Sequence, residues 1–295
     1  MSTIVTLNIF SGRPNPRWFL EDAAGAELRD RIYRKPTLTS AAPPSLGGLG
    51  YHGLEIRFDD GPEPIYVQGG VVRTLAGSPN LLDPGREIER FIISTMPEVG
   101  RDAGLGMTRK DRGLVREHID KELTAKIDLG KLLRIDPPKT NGNCPLNVGT
   151  CAPPYEPAVW NYVRTQPYNN CYNYANDRIT NSFAQPGKYH GAQYSVLTCA
   201  SVQPAAVADG LVASSNFTQP ISDGWYVALV IWPNLDFHWY RQDTIGCWSH
   251  KPGQTPAINT DNSNNPIFDP QTANRGNYTQ FCSYMITRPC KVRIG

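Results

Sequence analysis

At 295 residues with 40% hydrophobic content, the chain is long enough for two compact domains and has an ordinary globular composition. Twenty-nine basic residues against 27 acidic ones leave a net charge of +2, which gives no electrostatic reason to expect nucleic acid or an anionic membrane as partner. No apolar run approaches the roughly 18 residues that a transmembrane helix needs.

The opening MSTIVTLNIFSG has neither a basic stretch nor a long apolar one and is not expected to act as a signal peptide. Thr3–Phe10 alternates like a strand. Asn15-Pro16 offers a helix start, followed by an apolar stripe of Leu20, Ala24, Leu28 and Ile32. A Pro- and Gly-rich loop spans Pro36 to Gly50, and its LGGLG run lacks the following helix that a phosphate cradle requires. Leu54, Ile56 and Phe58 alternate as a strand, and Ile65–Leu75 reads as its partner across Asp59-Asp60-Gly61-Pro62. Asp83-Pro84 caps a second helix carrying Ile88, Phe91 and Ile92. A third helix, Arg109 to Ile127, starts at a capping box of Thr108 and Asp111. The order β-α-β-β-α predicts a small α+β domain over residues 1–139. Its role is open, and self-assembly or partner binding is one candidate. His52 and His118 are read as structural or surface residues.

Charge marks the domain boundary. Residues 1–139 hold 20 Lys+Arg and 19 Asp+Glu, which leaves 9 and 8 for residues 140–295. The Pro-Pro and Asn-Gly pairs of IDPPKTNGN (135–143) punctuate the chain at that point. All seven cysteines, at 144, 151, 171, 199, 247, 282 and 290, lie beyond it. Six can form three disulfides and leave one thiol, with Cys282 and Cys290 as candidates. No pair has CxxC spacing, so a zinc ribbon or thioredoxin-type site is not expected. Confinement to one Asn-, Pro- and Gly-rich domain favours disulfides and an extracellular or otherwise oxidising compartment. The sequons at Asn216 and Asn277 are compatible with that.

In the second domain, Asn170 can cap a helix whose first turn contains Cys171. A thiol there feels the positive end of the helix and free backbone N–H groups, which favour thiolate and could serve as oxyanion donors. Trp225–Trp232 is apolar on both faces, as in a buried central strand. Phe237–Gln242 returns carrying His238, and Cys247–Lys251 follows carrying His250. Twelve residues across one hairpin place the two histidines on neighbouring strands, roughly opposite. A neutral imidazole beside a thiol is the general base that a cysteine nucleophile needs, and a second polar group orients it. Trp225, Trp239, Tyr240 and Tyr172 are read as core aromatics. After Lys251 a long Asn-, Thr- and Pro-rich loop leads to a last strand.

Cys at a helix start, a buried strand, His near the start of the next strand and a polar residue twelve further on resemble the NlpC-type cell-wall peptidases of the papain-like thiol hydrolases. CYNYA (171–175) is similar to the start of the CHAP amidohydrolase/peptidase group. The resemblance covers roughly residues 165–253. It implies a nucleophile-bearing helix packed on an antiparallel sheet, Cys171 as nucleophile, His238 as base and His250 as orienting group. It also implies a peptide or peptidoglycan-like substrate and no cofactor. The usual Asp-Cys-Ser-Gly around the nucleophile is absent. Two further readings stand beside this one. One is a non-catalytic secreted structural or assembly protein on the same scaffold; the other is a zinc site formed by Cys171, His238 and His250.

Overall fold

The computed structural model describes residues 2–38, 48–74, 78–97, 106–125, 127, 144–145 and 148–295. The predicted boundary segment 135–143 lies outside the described residues. The chain forms two compact units. The first comprises Met1–Ile9, Asn15–Ser45 and Tyr51–Pro137, and the second comprises Phe10–Pro14, Leu46–Gly50 and Pro138–Gly295. Both are mixed α and β, and each is built on an antiparallel sheet.

In the first unit, β1 (Thr3–Leu7), β2 (Arg17–Leu20), β3 (Thr37–Leu38), β4 (Leu54–Phe58), β5 (Ile65–Gln68), β6 (Val71–Arg73) and β7 (Asn80–Leu82) form one sheet, ordered β2-β1-β4-β5-β6-β7-β3. The β-α-β-β-α reading therefore undercounts the strands. Residues 17–20 are a strand rather than a first helical turn, because Trp18 and Leu20 are buried in alternation and pair with Val5 and Thr3. Helix α1 starts only at Asp22 and runs to Tyr33, burying Gly25, Leu28 and Ile32. The single strand expected over 65–75 is a hairpin turning at Gly69-Gly70. The buried carboxylate of Glu89 ties that turn down by accepting both glycine N–H groups, at 3.2 and 3.1 Å. Glu89 lies on α2 (Glu87–Ser94), where Asp83 accepts the Ile88 N–H at 2.8 Å. Helix α3 (Arg109–Thr124) has the expected capping box of Thr108 and Asp111 and buries Val115, Ile119 and Leu123.

The second unit carries α4 (Pro157–Trp160), α5 (Cys171–Ala175), α6 (Cys199–Ala208), β8 (Val212–Ser214), β9 (Trp225–Trp232), β10 (Asp236–Gln242), β11 (Trp248–His250) and β12 (Gln280–Thr287). Its sheet is ordered β11-β10-β9-β12-β8. Every residue of β9 is buried, as its two apolar faces predict. The apolar core gathers Tyr172 and Ala175 from α5, Val202 and Ala206 from α6, and Val227, Leu229, Ile231, Phe237 and Trp239 from the sheet. Trp225, Tyr172, Trp239 and Tyr240 are core aromatics.

Two disulfides staple this unit, Cys144–Cys247 and Cys199–Cys282. The second leaves from the irregularity between Phe281 and Ser283, where the β12 register shifts against β9. Cys282 thus pairs with Cys199 and not with Cys290. Cys151 and Cys290 are exposed thiols, and Cys171 is a buried one.

Gly246 sits beside the first disulfide with φ +85°, and a Cβ there would lie 1.7 Å from the Pro145 carbonyl oxygen. Left-handed backbone and backbone overlap act together at this position. Gly246→Ala is expected to cost at least about 2 kcal/mol, read as a lowered midpoint in urea unfolding of the oxidised protein. Removing Cys199–Cys282, which closes 83 residues, is expected to cost about 4 kcal/mol on chain-entropy grounds. The same measurement on Cys199→Ser/Cys282→Ser checks it.

Candidate functional site

Helix α5 starts where Asn170 closes a reciprocal cap. Its side-chain oxygen accepts the N–H groups of Tyr172 (3.0 Å) and Asn173 (3.1 Å), while Asn173 Oδ1 accepts the Asn170 N–H at 3.1 Å. Cys171 is therefore the first helical residue, as the sequence predicts. The cap occupies the Tyr172 and Asn173 N–H groups, so two of the N–H groups at this helix start are not free to act as oxyanion donors. With five residues, the helix is also too short for its dipole to govern the thiol.

Burial decides the state of Cys171 instead. The residue is fully buried, its thiol faces the Phe237 carbonyl oxygen at 3.9 Å, and desolvation holds its pKa well above the ordinary thiol value. The negative charge of Asp236 adds to that shift, while the Ser11 hydroxyl and Lys251 oppose it. The expected thiolate is replaced by a neutral thiol.

His238 and His250 come together. Across the β10–β11 ladder, Tyr240 stands opposite His250, so the two histidines are diagonal neighbours on one face rather than directly opposite. His238 Nε2 lies 2.9 Å from His250 Nδ1, and His250 Nε2 lies 3.0 Å from the Thr260 carbonyl oxygen. A carbonyl only accepts, so His250 Nε2 carries hydrogen. With both rings neutral, His250 Nδ1 then accepts from His238 Nε2, which leaves His238 Nδ1 as an acceptor. That nitrogen is in hydrogen-bond contact with the Ser11 hydroxyl. The order is Ser11, His238, His250, Thr260 carbonyl. The Ser11 hydroxyl thus meets the His238 ring on the side away from His250. All of these side chains are buried.

Ser11, Gly12, Arg13, Asp236, Lys251 and Tyr278, none of them a candidate from the sequence, complete the site. Ser11 N–H donates to Asp236 Oδ2 at 2.5 Å, Gly12 N–H reaches both carboxylate oxygens at 3.1 and 3.2 Å, and Arg13 N–H reaches Oδ1 at 3.1 Å. The Tyr278 hydroxyl adds a fifth contact at 2.6 Å. Burial pushes Asp236 up to about 6, with these donors pulling the other way. Lys251 is also fully buried and donates to the carbonyls of Gln166, Asn169 and Gly253 at 2.7, 2.6 and 2.5 Å. Desolvation brings its pKa down to about 7. The sequence signal at Ser11 and Gly12 is a Ser-Gly pair ending a strand, and Asp236 carries no local signal that sets it apart.

Among the described residues, no group of three or more His, Cys, Asp or Glu side chains is arranged to hold a metal ion. A groove of about 260 Å³ lined by Pro153, Pro154, Glu156, Trp160, Asp177 and Ile179 is present in this unit, and none of Cys171, His238 or His250 lines it.

Asp236 makes stability depend on pH in a defined direction. The folded carboxyl keeps its proton up to about pH 6, whereas an unfolded aspartate loses it near pH 4. Between those values the folded state binds more protons, so stability falls as pH rises. This contribution is fully present below about pH 4 and gone above about pH 6, and amounts to on the order of 3 kcal/mol. Urea midpoints measured from pH 4 to 7 should show that decline in the native protein and a flatter profile in Asp236→Asn.

No protein-family model matches the chain, and no solved structure matches it. A relative named insoluble matrix shell protein 1, from Ruditapes philippinarum, is 43% identical over 142 residues, which is 47% of this chain and 93% of the relative. Identity at that level over nearly all of the relative places the chain in the same family as that matrix shell protein.

Proposed function

We propose that the protein is a non-catalytic structural component of an extracellular matrix, with the Cys171–Ser11–His238–His250 cluster serving as a polar core. The observation that carries this reading is the likeness to the matrix shell protein, which extends over 93% of that relative. The burial of every candidate catalytic side chain agrees with it. Two disulfides in one unit favour an oxidising compartment. The exposed thiols Cys151 and Cys290 supply two points per chain at which copies can be joined, the minimum for a continuous linear polymer of chains.

A second reading, a thiol amidase or peptidase acting on peptide or peptidoglycan-like amides, is favoured by one observation. The two histidines are hydrogen-bonded, with His238 Nε2 2.9 Å from His250 Nδ1, and α5, which carries Cys171, packs against β10, which carries His238. Catalysis on this reading requires substrate to reach the buried thiol and the His238 ring.

Oxidation of the purified chain with a small-molecule disulfide separates the two. The structural reading expects covalent oligomers on non-reducing gels that reductant dissolves and that Cys151→Ser/Cys290→Ser does not form. It also expects no amide or peptidoglycan-fragment hydrolysis above that of Cys171→Ala. Hydrolysis lost in Cys171→Ala, from a chain that stays monomeric under oxidation, would reverse the assignment.

A further inference from the structure

Residues 10–13 of the second unit are bound in the manner of a peptide ligand. Their contacts are directional and come from side chains distant in sequence. Three successive backbone N–H groups converge on the Asp236 carboxylate at 2.5–3.2 Å. The Gly12 carbonyl oxygen is held by two side-chain amides, Asn170 Nδ2 at 2.9 Å and Gln185 Nε2 at 2.8 Å. Gln185 is itself fixed by the Tyr194 hydroxyl, 2.7 Å from its Oε1, and Asn170 by its own helix cap. The Arg13 guanidinium donates to the Leu235 carbonyl at 2.8 Å and stacks over the Phe10 ring at 4.8 Å. A side chain at Gly12 cannot be accommodated, since its Cβ would lie 2.5 Å from the Phe237 ring.

These groups form a complementary peptide cradle: a buried anion for a run of N–H groups, paired amide donors for one carbonyl, and an aromatic wall that admits only glycine between them. The donors and acceptors would be costly to bury without the segment. Asp236, Asn170 and Gln185 are nine-tenths or more buried, and removal of residues 10–13 would take four contacts from the Asp236 carboxylate, leaving it the Tyr278 hydroxyl, and would take one acceptor each from Asn170 and Gln185. The segment also closes over the surroundings of the thiol: the Ser11 hydroxyl meets His238, the Gly12 carbonyl is held by Asn170 next to Cys171, and Gly12 abuts the ring of Phe237, whose carbonyl the thiol faces.

We infer that the second unit contains a peptide-binding cradle specific for a Ser-Gly-Arg segment, filled by this chain's own residues 10–13, and that this occupancy shields the Cys171 thiol. The cradle is selective for glycine at the centre through Phe237, for an arginine after it through the Leu235 carbonyl, and for a small hydroxyl residue before it through His238. A second copy of the chain carries the same segment, so the ligand class is this protein's own peptide. The cradle is the same whether the protein is structural or catalytic.

The test uses the full chain in a Cys151→Ser/Cys290→Ser background, so that Cys171 is the one free thiol. N-ethylmaleimide labelling of Cys171 is followed by mass spectrometry in native buffer, with and without Gly12→Val. The valine should displace the segment and raise the labelling rate by at least about tenfold, with both disulfides intact and the circular dichroism spectrum unchanged. A synthetic peptide of residues 8–15 should restore protection, and the same peptide with valine for glycine should not. Labelling at the parent rate in a folded Gly12→Val protein, or no protection by the native peptide, overturns the inference. Hydrogen exchange on the parent protein gives the decision if Gly12→Val fails to fold. Amides of Ser11, Gly12 and Arg13 that open separately from, and more readily than, those of β9 and β10 support a docked ligand. Amides that exchange only with global unfolding make the segment ordinary core and refute the proposal.

Discussion

A carboxylate taken out of water must be met by donors, and the second unit is arranged around how Asp236 meets that condition. It opens β10 and is fully buried. Its two oxygens collect three backbone N–H groups from Ser11, Gly12 and Arg13 and the Tyr278 hydroxyl. Those bonds fix residues 10–13, which fixes the Ser11 hydroxyl, which determines the acceptor on His238 and, through it, the orientation of His250. Lys251 is matched in the opposite sense, an ammonium among three carbonyls. Buried polar networks of this kind specify one arrangement because every alternative leaves a group unpaired.

The same constraint accounts for the chemistry of the thiol. Cysteine at the start of a long helix beside an imidazole tends toward thiolate. Here the helix is short, its first N–H groups are capped by Asn170, and the imidazole nitrogen faces Ser11. Desolvation then dominates, and the thiol stays neutral. A resting site of this form is a packed core with catalytic residue types in it. That agrees better with kinship to a matrix shell protein than with a solvent-facing hydrolase.

Covalent and polar links share the task of stability in the second unit. Two disulfides close loops of 103 and 83 residues and so restrict the unfolded second unit over most of its length. This lets the unit carry several buried charged or polar groups that an unstapled domain of its size would tolerate less well. The first unit, where the sequence has no cysteine before 144, relies on an ordinary apolar core and on single buried acids such as Glu89 to hold its turns.

Local pattern alone determined much of this protein. The continuous apolar run 225–232 had to be a central strand, Thr108 with Asp111 had to cap a helix, and Asn170 had to place Cys171 at a helix start, because each depends on neighbours a few residues away. The hairpin spacing brought His238 near His250 for the same reason, although the ladder register made them diagonal. Where local signals competed, tertiary pairing won: Asn15-Pro16 looked like a helix start, yet Trp18 and Leu20 gained more by alternating into the sheet beside Val5 and Thr3. Only the tertiary structure could decide what faces the thiol. Ser11 meets His238 across 227 residues of sequence and Gly12 meets Gln185 across 173, and no periodicity, cap or spacing encodes contacts over such distances. Burial, which holds the thiol neutral, is likewise a property of the assembled core and not of any segment within it.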